Sequence, residues 1–553
     1  MHGRNLFPPT ASVSSRVSGM TSSASLMRAA FGVLLTVLLW GRCARAQDAA
    51  VKDLQFLATY VQSGHRAPFH RDGALLPRGT AQNLLRSWSQ ASNTASVDHG
   101  ENVRVNRDHN PWPKVGIAAA IDPANGNNYV VMSNDFRENF DHMFFHVSKT
   151  GGATWTDDSM VGGADFITGF APLTFQNDPG VAFDGAGHSF LSTLSGNVIF
   201  DVFNGYINND TEIEVVQGFA HGAYVSVIPT AIDDQQCDGP FPNPFCPAVL
   251  DKPLITVDNV ASSPSNGAIY VYYTLFCNGA GARGHAPCED GSARVPALSS
   301  AILESHSPGA GKPFTAPALV SGSLKNAQFS SMVIDSHGTP HIFFDDFSNP
   351  SFVNMHESTL TGGNWAVATK PVATFAFHGL SNGHWSIRDA GAQAPGCGIH
   401  LDTAYCAFSA NQIAGGEMES TPSVYLAIVG TGTATSSIHR VNDDPFNHGK
   451  HHFFAWATAT SDGAVYVGWY DDRHDPSEIN VEYFAGRSDD GGTTFPKQRA
   501  VSDASFNPCI GFPGCIFFGD YTQLVSGPDG VVHAAWTDTR NGSMQIFTQA
   551  IAW

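Results

Sequence analysis

The sequence predicts an all-β chain folded as a single β-propeller of four-stranded antiparallel blades, and three observations support this fold class. An eight-residue pattern has Ser first, Gly fifth and an aromatic residue eighth, and its copies begin at Ser148, Ser307, Ser358 and Ser488. Around these copies, apolar segments alternate with turns containing Asp and Gly, which provide the positive φ that hairpin turns need. With 55 Gly, 32 Pro and only 14% charged residues, the composition suits many short strands.

Residues 1–46 are predicted to be a signal peptide that is removed on export. The apolar run Ala29–Trp40 follows Met27-Arg28 and precedes Ala44-Arg45-Ala46, a small-x-small cleavage pattern. The run is too short to span a bilayer, and no stretch of 18 apolar residues follows residue 50. We therefore expect a secreted or periplasmic protein without membrane insertion.

Two further regions follow the predicted signal peptide. Residues 47–101 are expected to be an N-terminal extension without the repeat, irregular except for a short helix within Thr80–Ser92. Residues 102–553 are expected to form the propeller. Repeating units start near residues 114, 178, 250, 326, 383, 452 and 517. Seven blades are favoured, and six is the alternative because the unit near residue 383 is poorly marked.

The last repeating unit contains only three apparent strands before Trp553. Asn102–Asn106 is an extended segment that can supply the missing fourth strand, which would close the ring and remove an exposed sheet edge. In such four-stranded meanders, the third turns lie on the opposite face from the second turns and the blade-to-blade connections. The eight-residue patterns are predicted to be third turns with a structural role, because their Ser, Thr and Asp side chains can bond to turn backbone.

Eight cysteines remain after the predicted cleavage, and they occur as neighbouring pairs in loops rich in Gly and Pro. Such spacing favours short-loop disulfides formed in an oxidising compartment, with free thiols or a metal site as the alternatives. No Cys-x-x-Cys spacing occurs, so no metal site is predicted. The expected bridges are Cys237–Cys246, Cys277–Cys288, Cys397–Cys406 and Cys509–Cys515.

The charge balance of the chain limits its partners. Residues 1–46 hold five Arg and no acid, so 24 basic and 49 acidic residues remain, a formal net charge of −25. A broadly acidic surface argues against nucleic acid and anionic membranes as partners. An anionic ligand would therefore need a local cluster of arginines. No cofactor is predicted.

Three arginines, each just after the predicted second strand of its unit, are candidates for a cluster that binds an anionic ligand. Asn134-Asp135-Phe136-Arg137, Asp471-Asp472-Arg473 and Asp538-Thr539-Arg540 recur in three units that become neighbours when the ring closes. Arg137, Arg473 and Arg540, with Asp472, could bind a substrate carboxylate bidentately. The alternative is that each Asp–Arg pair only fastens its own loop or the next blade.

The blade-entry segments on the same face contain candidates for catalysis. Asp178, Asp251 and Asp520 are candidate general acids, and Tyr521 beside Asp520 is a candidate nucleophile. Glycoside cleavage needs one group that protonates the leaving oxygen and another that attacks or stabilises the oxocarbenium ion. The alternative is that each acid caps a loop. His451-His452 is a weak metal candidate, because adjacent strand residues point to opposite faces.

The chain resembles the sialidase-like Asp-box, or bacterial neuraminidase repeat, propellers of secreted bacterial type. The resemblance rests on the four patterns, above all Ser488–Phe495 with Asp490 and Thr494, and on Asp251–Asp258, Trp469–Arg473 and Phe518–Tyr521. It covers about Asn102 to Trp553. It implies that three arginines hold a sugar carboxylate, that Tyr521 is the nucleophile and that an Asp is the acid/base. The family's Arg-Ile/Leu-Pro motif does not precede Ser148.

The resulting functional hypothesis is a secreted glycoside hydrolase of sialidase type that acts on terminal, acidic sugars. Its catalytic residues would be Tyr521, Asp520 and Asp178, and its partner would be a glycan or glycoconjugate. The alternative is a non-catalytic propeller that binds glycans or proteins through the same face.

Overall fold

The computed structural model describes residues 102–553 except 109, 138–141, 157–158, 161–172, 202–205, 218–229, 241–247, 278–298, 388–393, 434, 513–514 and 516. The predicted signal peptide and the N-terminal extension with its short helix lie outside these residues. The described part contains β-strands and no α-helix, and no helix within it is long and apolar enough to cross a membrane.

Each of the first three blades is an antiparallel meander of four strands. The chain begins with the short strand β1 (Val103–Arg104). Blade 1 contains β2 (Lys114–Asp122), β3 (Asn125–Asp135), β4 (His142–Ser148) and β5 (Ser159–Met160). Blade 2 contains β6 (Leu173–Phe183), β7 (Ser189–Asp201), β8 (Tyr206–Gln217) and β9 (Thr230–Pro240). Blade 3 contains β10 (Ala248–Val257), β11 (Ile269–Cys277), β12 (Ser300–Ser307) and β13 (Ala318–Leu319).

Blades 4 and 5 are the most elaborated part of the ring. Blade 4 contains β14 (Ala327–Ile334), β15 (Pro340–Asp346), β16 (Val353–Thr361), β17 (Asn364–Val367) and β18 (Ala373–Ala376). Both β17 and β18 pair with β16. A small hairpin follows, formed by β19 (Leu380–Ser381) and β20 (Ser386–Ile387). Blade 5 contains β21 (Gly396–His400), β22 (Thr403–Ala410), β24 (Ser423–Gly430) and β25 (Thr435–Arg440), while β23 (Gln412–Ile413) pairs back onto β18.

Blades 6 and 7 complete the ring. Blade 6 contains β26 (His452–Ala459), β27 (Val465–Asp471), β28 (Glu482–Ser488) and β29 (Lys497–Ala500). Blade 7 contains β30 (Gln523–Ser526), β31 (Val532–Asp538) and β32 (Gln545–Ile551), with β1 as its fourth strand. The structure therefore confirms a seven-bladed propeller and excludes the alternative of six blades.

The N-terminal strand closes the ring as predicted. Val103 pairs with Thr548 and Arg104 with Phe547, and the Val105 amide donates to the Ile546 carbonyl at 2.9 Å. The Asn106 side chain extends the seam, because its Oδ1 accepts from the Ile546 amide at 3.0 Å. Blade 7 thus joins the two ends of the propeller into one sheet.

The eight-residue patterns form turns between the third and fourth strands of their blades. Ser148 Oγ accepts a hydrogen bond from the Gly152 amide at 2.9 Å, and Ser488 Oγ accepts one from the Gly492 amide at 2.8 Å. Both glycines have φ of 85°, a backbone conformation that favours glycine. The aromatic residue that ends the turn packs inward, and Trp155 lies 5.1 Å from the Tyr129 ring between centroids. These contacts give the turns a structural role.

Two of the four expected disulfides lie in the described part, Cys397–Cys406 and Cys509–Cys515. The first joins directly paired residues of β21 and β22. Cys277 is also disulfide-bonded. The expected partner Cys288 and the pair Cys237–Cys246 involve residues whose side chains lie outside the described part.

Candidate active site

The first strands of the blades surround an axial channel of about 370 Å³. Five of these strands contain a β-bulge in which one extra residue interrupts the pairing with the second strand. We call the residue with positive φ at each bulge the bulge residue. These residues, with φ between 50° and 61°, are Gly116, Asp178, Lys252, Phe329 and Phe454.

The bulges matter because they redirect side chains at the mouth of the channel. Aspartate tolerates positive φ, but lysine and phenylalanine adopt it only with strain, so Lys252, Phe329 and Phe454 store conformational energy there. In blade 7, Tyr521 occupies the position equivalent to the bulge residue Phe454 of blade 6. Phe454 lies two residues before Trp456, which pairs with Gly468 of the second strand. Tyr521 likewise lies two residues before Gln523, which pairs with Ala535. The mouth is on the entry face, defined here as the face with the blade-to-blade connections and second turns.

The structure brings Asp178, Asp251, Asp520 and Tyr521 together at this mouth, from blades 2, 3 and 7. Lys252 Nζ lies 2.6 Å from Asp520 Oδ2, and the Tyr521 hydroxyl donates to Asp178 Oδ1 at 3.4 Å. The Lys252 ammonium also lies 5.5 Å from the centroid of the Tyr521 ring. We refer to these five residues as the axial cluster.

Asp178 and Asp251 form a pair of buried carboxyl groups within hydrogen-bonding reach of each other. Burial raises the pKa of Asp178, although the Lys252 charge opposes it. Burial raises the pKa of Asp251 further, well above its usual range. Two adjacent carboxylates cannot both ionise easily in a buried site, so the upward pKa shifts favour a proton shared between Asp178 and Asp251.

Lys252 and Tyr521 complete the electrostatics of the cluster. Burial lowers the pKa of Lys252, but the charges of Asp520, Asp178 and Asp251 together outweigh it, so the net shift is upward and the ammonium stays charged. Burial, with the negative charges of Asp178 and Asp520, raises the pKa of Tyr521 well above 10. The tyrosine is therefore a protonated phenol in the unliganded protein.

A small cavity of about 30 Å³ adjoins the cluster, and the bulge residues Lys252, Phe329 and Phe454 line it with Tyr521. Leu254 and Trp456 line both this cavity and the axial channel, so they form the constriction between the two spaces. A volume of this size accommodates about one water molecule. A sugar would therefore contact the cluster from the entry face rather than enter the cavity.

The three candidate arginines lie elsewhere on the entry face, each bound to the aspartate two residues before it. Arg137 Nη2 lies 2.5 Å from Asp135, Arg473 Nε lies 2.7 Å from Asp471, and Arg540 Nη2 lies 2.6 Å from Asp538. Their guanidinium groups also lie over rings of the third strand of their own blade, namely Phe144, Phe484 and Phe547.

Each arginine also reaches an acid from the preceding blade or the closing segment. Arg473 Nη1 lies 2.6 Å from Asp443, which follows the last strand of blade 5, and Arg540 bonds Asp503, which follows the last strand of blade 6. Arg137 Nη2 lies 3.0 Å from Asp108, which follows β1. The geometry thus favours the alternative in which the Asp–Arg pairs fasten neighbouring blades.

Asp472 is also engaged in local structure. Its Oδ1 accepts from the His451 amide at 2.6 Å, and it is buried. The adjacent His452 faces another partner, with Nε2 3.3 Å from Asp444 Oδ1. The His451 ring, with Nδ1 3.2 Å from Asp472 Oδ2, therefore has a different partner from the His452 ring.

Among the described residues, one group of metal-ligand type has its atoms within 4.8 Å of one another: Asp335, His337 and Asp402. Asp335 Oδ1 already accepts from the amides of His337 and Thr339, at 2.9 and 2.8 Å. This carboxylate is therefore a turn cap between the first two strands of blade 4, on the face opposite the axial cluster.

Sequence reasoning did not single out Lys252 or the bulge residues Phe329 and Phe454. A usable signal was present, because Asp178-Pro179 and Lys252-Pro253 occupy equivalent bulges in consecutive blades. A glutamate partner for Tyr521 was also not identifiable from the sequence. The structure supplies Asp178, which is 343 positions away in the chain.

No protein-family model and no curated protein sequence matches this chain. Solved structures with similar folds include the Hadza microbial sialidase Hz136, at 11% identity and a TM-score of 0.39, covering 74% of this chain and 73% of that one. The GH93 α-L-arabinofuranosidase of Fusarium graminearum has 11% identity and a TM-score of 0.39, covering 82% and 97%. A leech intramolecular trans-sialidase has 10% identity and a TM-score of 0.37, covering 72% and 69%. Likeness at this level does not assign the chain to any of these families.

Proposed function

We propose that the protein is a secreted glycoside hydrolase whose reaction takes place at the axial cluster. The observation that supports this proposal is the buried carboxyl pair Asp178–Asp251, whose pKa values burial raises, next to the Tyr521 hydroxyl and the ion-paired carboxylate of Asp520. Glycoside cleavage requires a protonated acid and an anionic or nucleophilic group within one site. The cluster contains both kinds of group.

The chemistry of each residue follows from its surroundings. Asp251 gives the shared proton to the leaving oxygen as the bond from that oxygen to the anomeric carbon breaks. The Tyr521 oxygen attacks the anomeric carbon and passes its proton to Asp178, which already accepts its hydrogen bond. The carboxylate of Asp520, which lies 2.6 Å from the Lys252 ammonium, stabilises the positive charge that develops on the sugar ring. Water then attacks the anomeric carbon and gives a proton to Asp251, while the bond to tyrosine breaks and Asp178 returns its proton to the Tyr521 oxygen.

The raised pKa of Tyr521 determines when it can attack. A free phenolate is strongly disfavoured before substrate binds, so loss of the proton must accompany formation of the bond to the sugar. Asp178 is a suitable acceptor, because burial raises its pKa and makes its ionised form a stronger base than a surface aspartate.

We propose a structural role, rather than carboxylate binding, for Arg137, Arg473, Arg540 and Asp472. Each arginine already contacts two acids and an aromatic ring, and 6–12% of its side chain is exposed. Binding a substrate carboxylate would require breaking ion pairs that are largely shielded from water.

Export is part of the proposal because of the cysteines. Cys397–Cys406 and Cys509–Cys515 close short loops, and such bonds persist in oxidising compartments. Detection of the chain in culture medium or periplasm, cleaved near Ala46, would support this part. Retention of an intact chain in the cytosol would contradict it.

The function is tested with purified protein and a panel of fluorogenic glycosides. We expect hydrolysis of at least one glycoside by the parent protein and at least a thousandfold loss of turnover in Tyr521→Phe. Tyr425→Phe is the matched control, because it also removes one buried hydroxyl contact, to Glu419 at 2.9 Å, in the outer part of blade 5. Retained turnover in Tyr521→Phe would exclude tyrosine as the nucleophile.

A non-catalytic glycan-binding propeller is the second candidate. The observation that favours it is the cavity of about 30 Å³, which leaves little room for a sugar ring to reach the buried carboxyls. Binding of glycans on an array without hydrolysis of any glycoside in the panel would establish this candidate and exclude the hydrolase.

A further inference from the structure

We propose that the terminal sugar recognised at the axial cluster carries no negative charge, so that the site accepts neutral or amino sugars and rejects carboxylated ones. This inference rests on the proposed function and names its substrate class. It replaces the acidic sugar expected from the sequence. Three features of the mouth carry it: the charges, the hydrogen-bonding groups and the positions of the cations.

The charge of the cluster opposes an anionic ligand. Asp178, Asp251 and Asp520 supply three carboxyl groups, and Lys252 supplies one ammonium group. Even with one proton shared between Asp178 and Asp251, one negative charge is left over. All four side chains are buried, so water screens this charge weakly and a second anion would be repelled.

The hydrogen-bonding groups point to the same class of ligand. Both carboxylate oxygens of Asp251 and the Oδ2 atom of Asp178 are buried without a donor from the described residues. The shared proton satisfies one oxygen of each group, which leaves an oxygen of Asp251 as a free acceptor. In β6, Gln176 Oε1 is also a buried acceptor without a donor from the described residues, whereas the Asn177 amide has both its Oδ1 and its Nδ2 atom without a partner there. Sugar hydroxyls and ammonium groups donate hydrogen bonds, whereas a carboxylate only accepts them.

Lys252 and the three candidate arginines are committed to partners within the protein. Lys252 is held between Asp520 and the rings of Phe329 and Tyr521, at 5.3 and 5.5 Å from the ring centroids. The three arginines fasten adjacent blades, as described above. A carboxylated sugar would have to compete with aspartates for each of these four cations, whereas a neutral sugar needs none of them.

The experiment uses an array of glycans that end in neutral, amino or carboxylated sugars. Each carboxylated glycan is also present after chemical reduction of its carboxyl group to an alcohol. Cleavage of each glycan is measured with the parent protein, and binding without cleavage is measured with Tyr521→Phe. We expect signals at least tenfold stronger for neutral and amino sugars, and a similar gain when a carboxylated glycan is reduced.

A second variant ties the selectivity to the cluster. Asp520→Asn removes one negative charge from the cluster but keeps the side-chain shape, so the binding preference for uncharged over carboxylated glycans should fall about tenfold. Asp345→Asn is the matched control, because it makes the same change at a buried carboxyl of blade 4 whose charged neighbour is Asp346. It should leave the preference unchanged.

The outcomes separate this inference from the proposed function. Cleavage confined to carboxylated sugars, or signals lost on reduction, would overturn the inference and leave the hydrolase in place. Binding of neutral glycans without cleavage would support the inference and exclude the hydrolase. Neither binding nor cleavage of any class would overturn both.

Discussion

Asp251→Asn should change how the stability of the propeller depends on pH. In the folded protein the Asp178–Asp251 pair holds a proton, because burial raises both pKa values, whereas the unfolded chain releases it above about pH 4. The native state therefore binds more protons than the unfolded state, and its stability falls as the pH rises toward the folded pKa values. In the variant, the introduced side-chain amide can donate to Asp178 in place of the shared proton.

The size of the effect follows from one proton. Each bound proton changes the free energy of unfolding by about 1.4 kcal/mol per pH unit. A proton that the pair keeps from pH 5 to pH 7 thus costs the parent protein about 2.8 kcal/mol of stability that the variant keeps. For a propeller of about 450 residues, the unfolding entropy is on the order of 1 kcal/mol per degree, so the difference corresponds to about 3 °C in Tm.

Differential scanning calorimetry of both proteins at pH 5 and pH 7 measures this difference. Asp489→Asn is the control, because this exposed carboxylate pairs with Arg487 and Lys497 and its pKa is lowered. Its proton is lost below pH 5 in folded and unfolded chains alike, so the slope should match that of the parent. If Asp251→Asn shows the parent's slope as well, the pair does not hold a proton in this range.

Three other substitutions test the remaining parts of the structure. Lys252→Met leaves the buried Asp520 carboxylate without its ion pair and should lower the free energy of unfolding by about 3–5 kcal/mol at pH 7. A smaller loss, measured by thermal or urea unfolding, would contradict an ion pair shielded from water. Arg540→Lys loses the planar guanidinium that contacts both Asp538 and Asp503, so it should lower the free energy of unfolding by about 1–3 kcal/mol. The KM for any glycoside should stay unchanged, and a raised KM would indicate that Arg540 binds substrate. Asn106→Ala leaves the Ile546 amide unpaired at the seam and should cost about 1–3 kcal/mol, and an unchanged Tm would show that this contact does not stabilise the closed ring.

The sequence predicted the propeller because the fold repeats its local signals. Turn glycines and alternating apolar segments recur in nearly every blade, and each unit needs a neighbour to cover its apolar faces. Blade 5 was the uncertain unit because it lacks the Ser-to-aromatic turn and follows the added hairpin β19–β20. The closing strand was predictable because the last unit has three strands, and its exposed sheet edge needs a fourth strand as a partner.

The candidate site was only partly predictable because it depends on the register of distant blades. The entry segments indicated Asp178, Asp251, Asp520 and Tyr521, but nothing local shows that Lys252 faces Asp520, 268 positions away. The arginine repeats had two interpretations from sequence alone. The structure favours the fastening role through Asp443 and Asp503, acids outside the repeated motif.

The bulges in the first strands make the channel mouth an exchangeable surface. The same backbone deviation carries glycine in blade 1, aspartate in blade 2, lysine in blade 3 and phenylalanine in blades 4 and 6. Since each bulge keeps its shape whatever side chain it carries, chemistry at the mouth can change one blade at a time while the sheets stay intact. A new ligand specificity would then require only a few substitutions, each at the bulge position of one first strand.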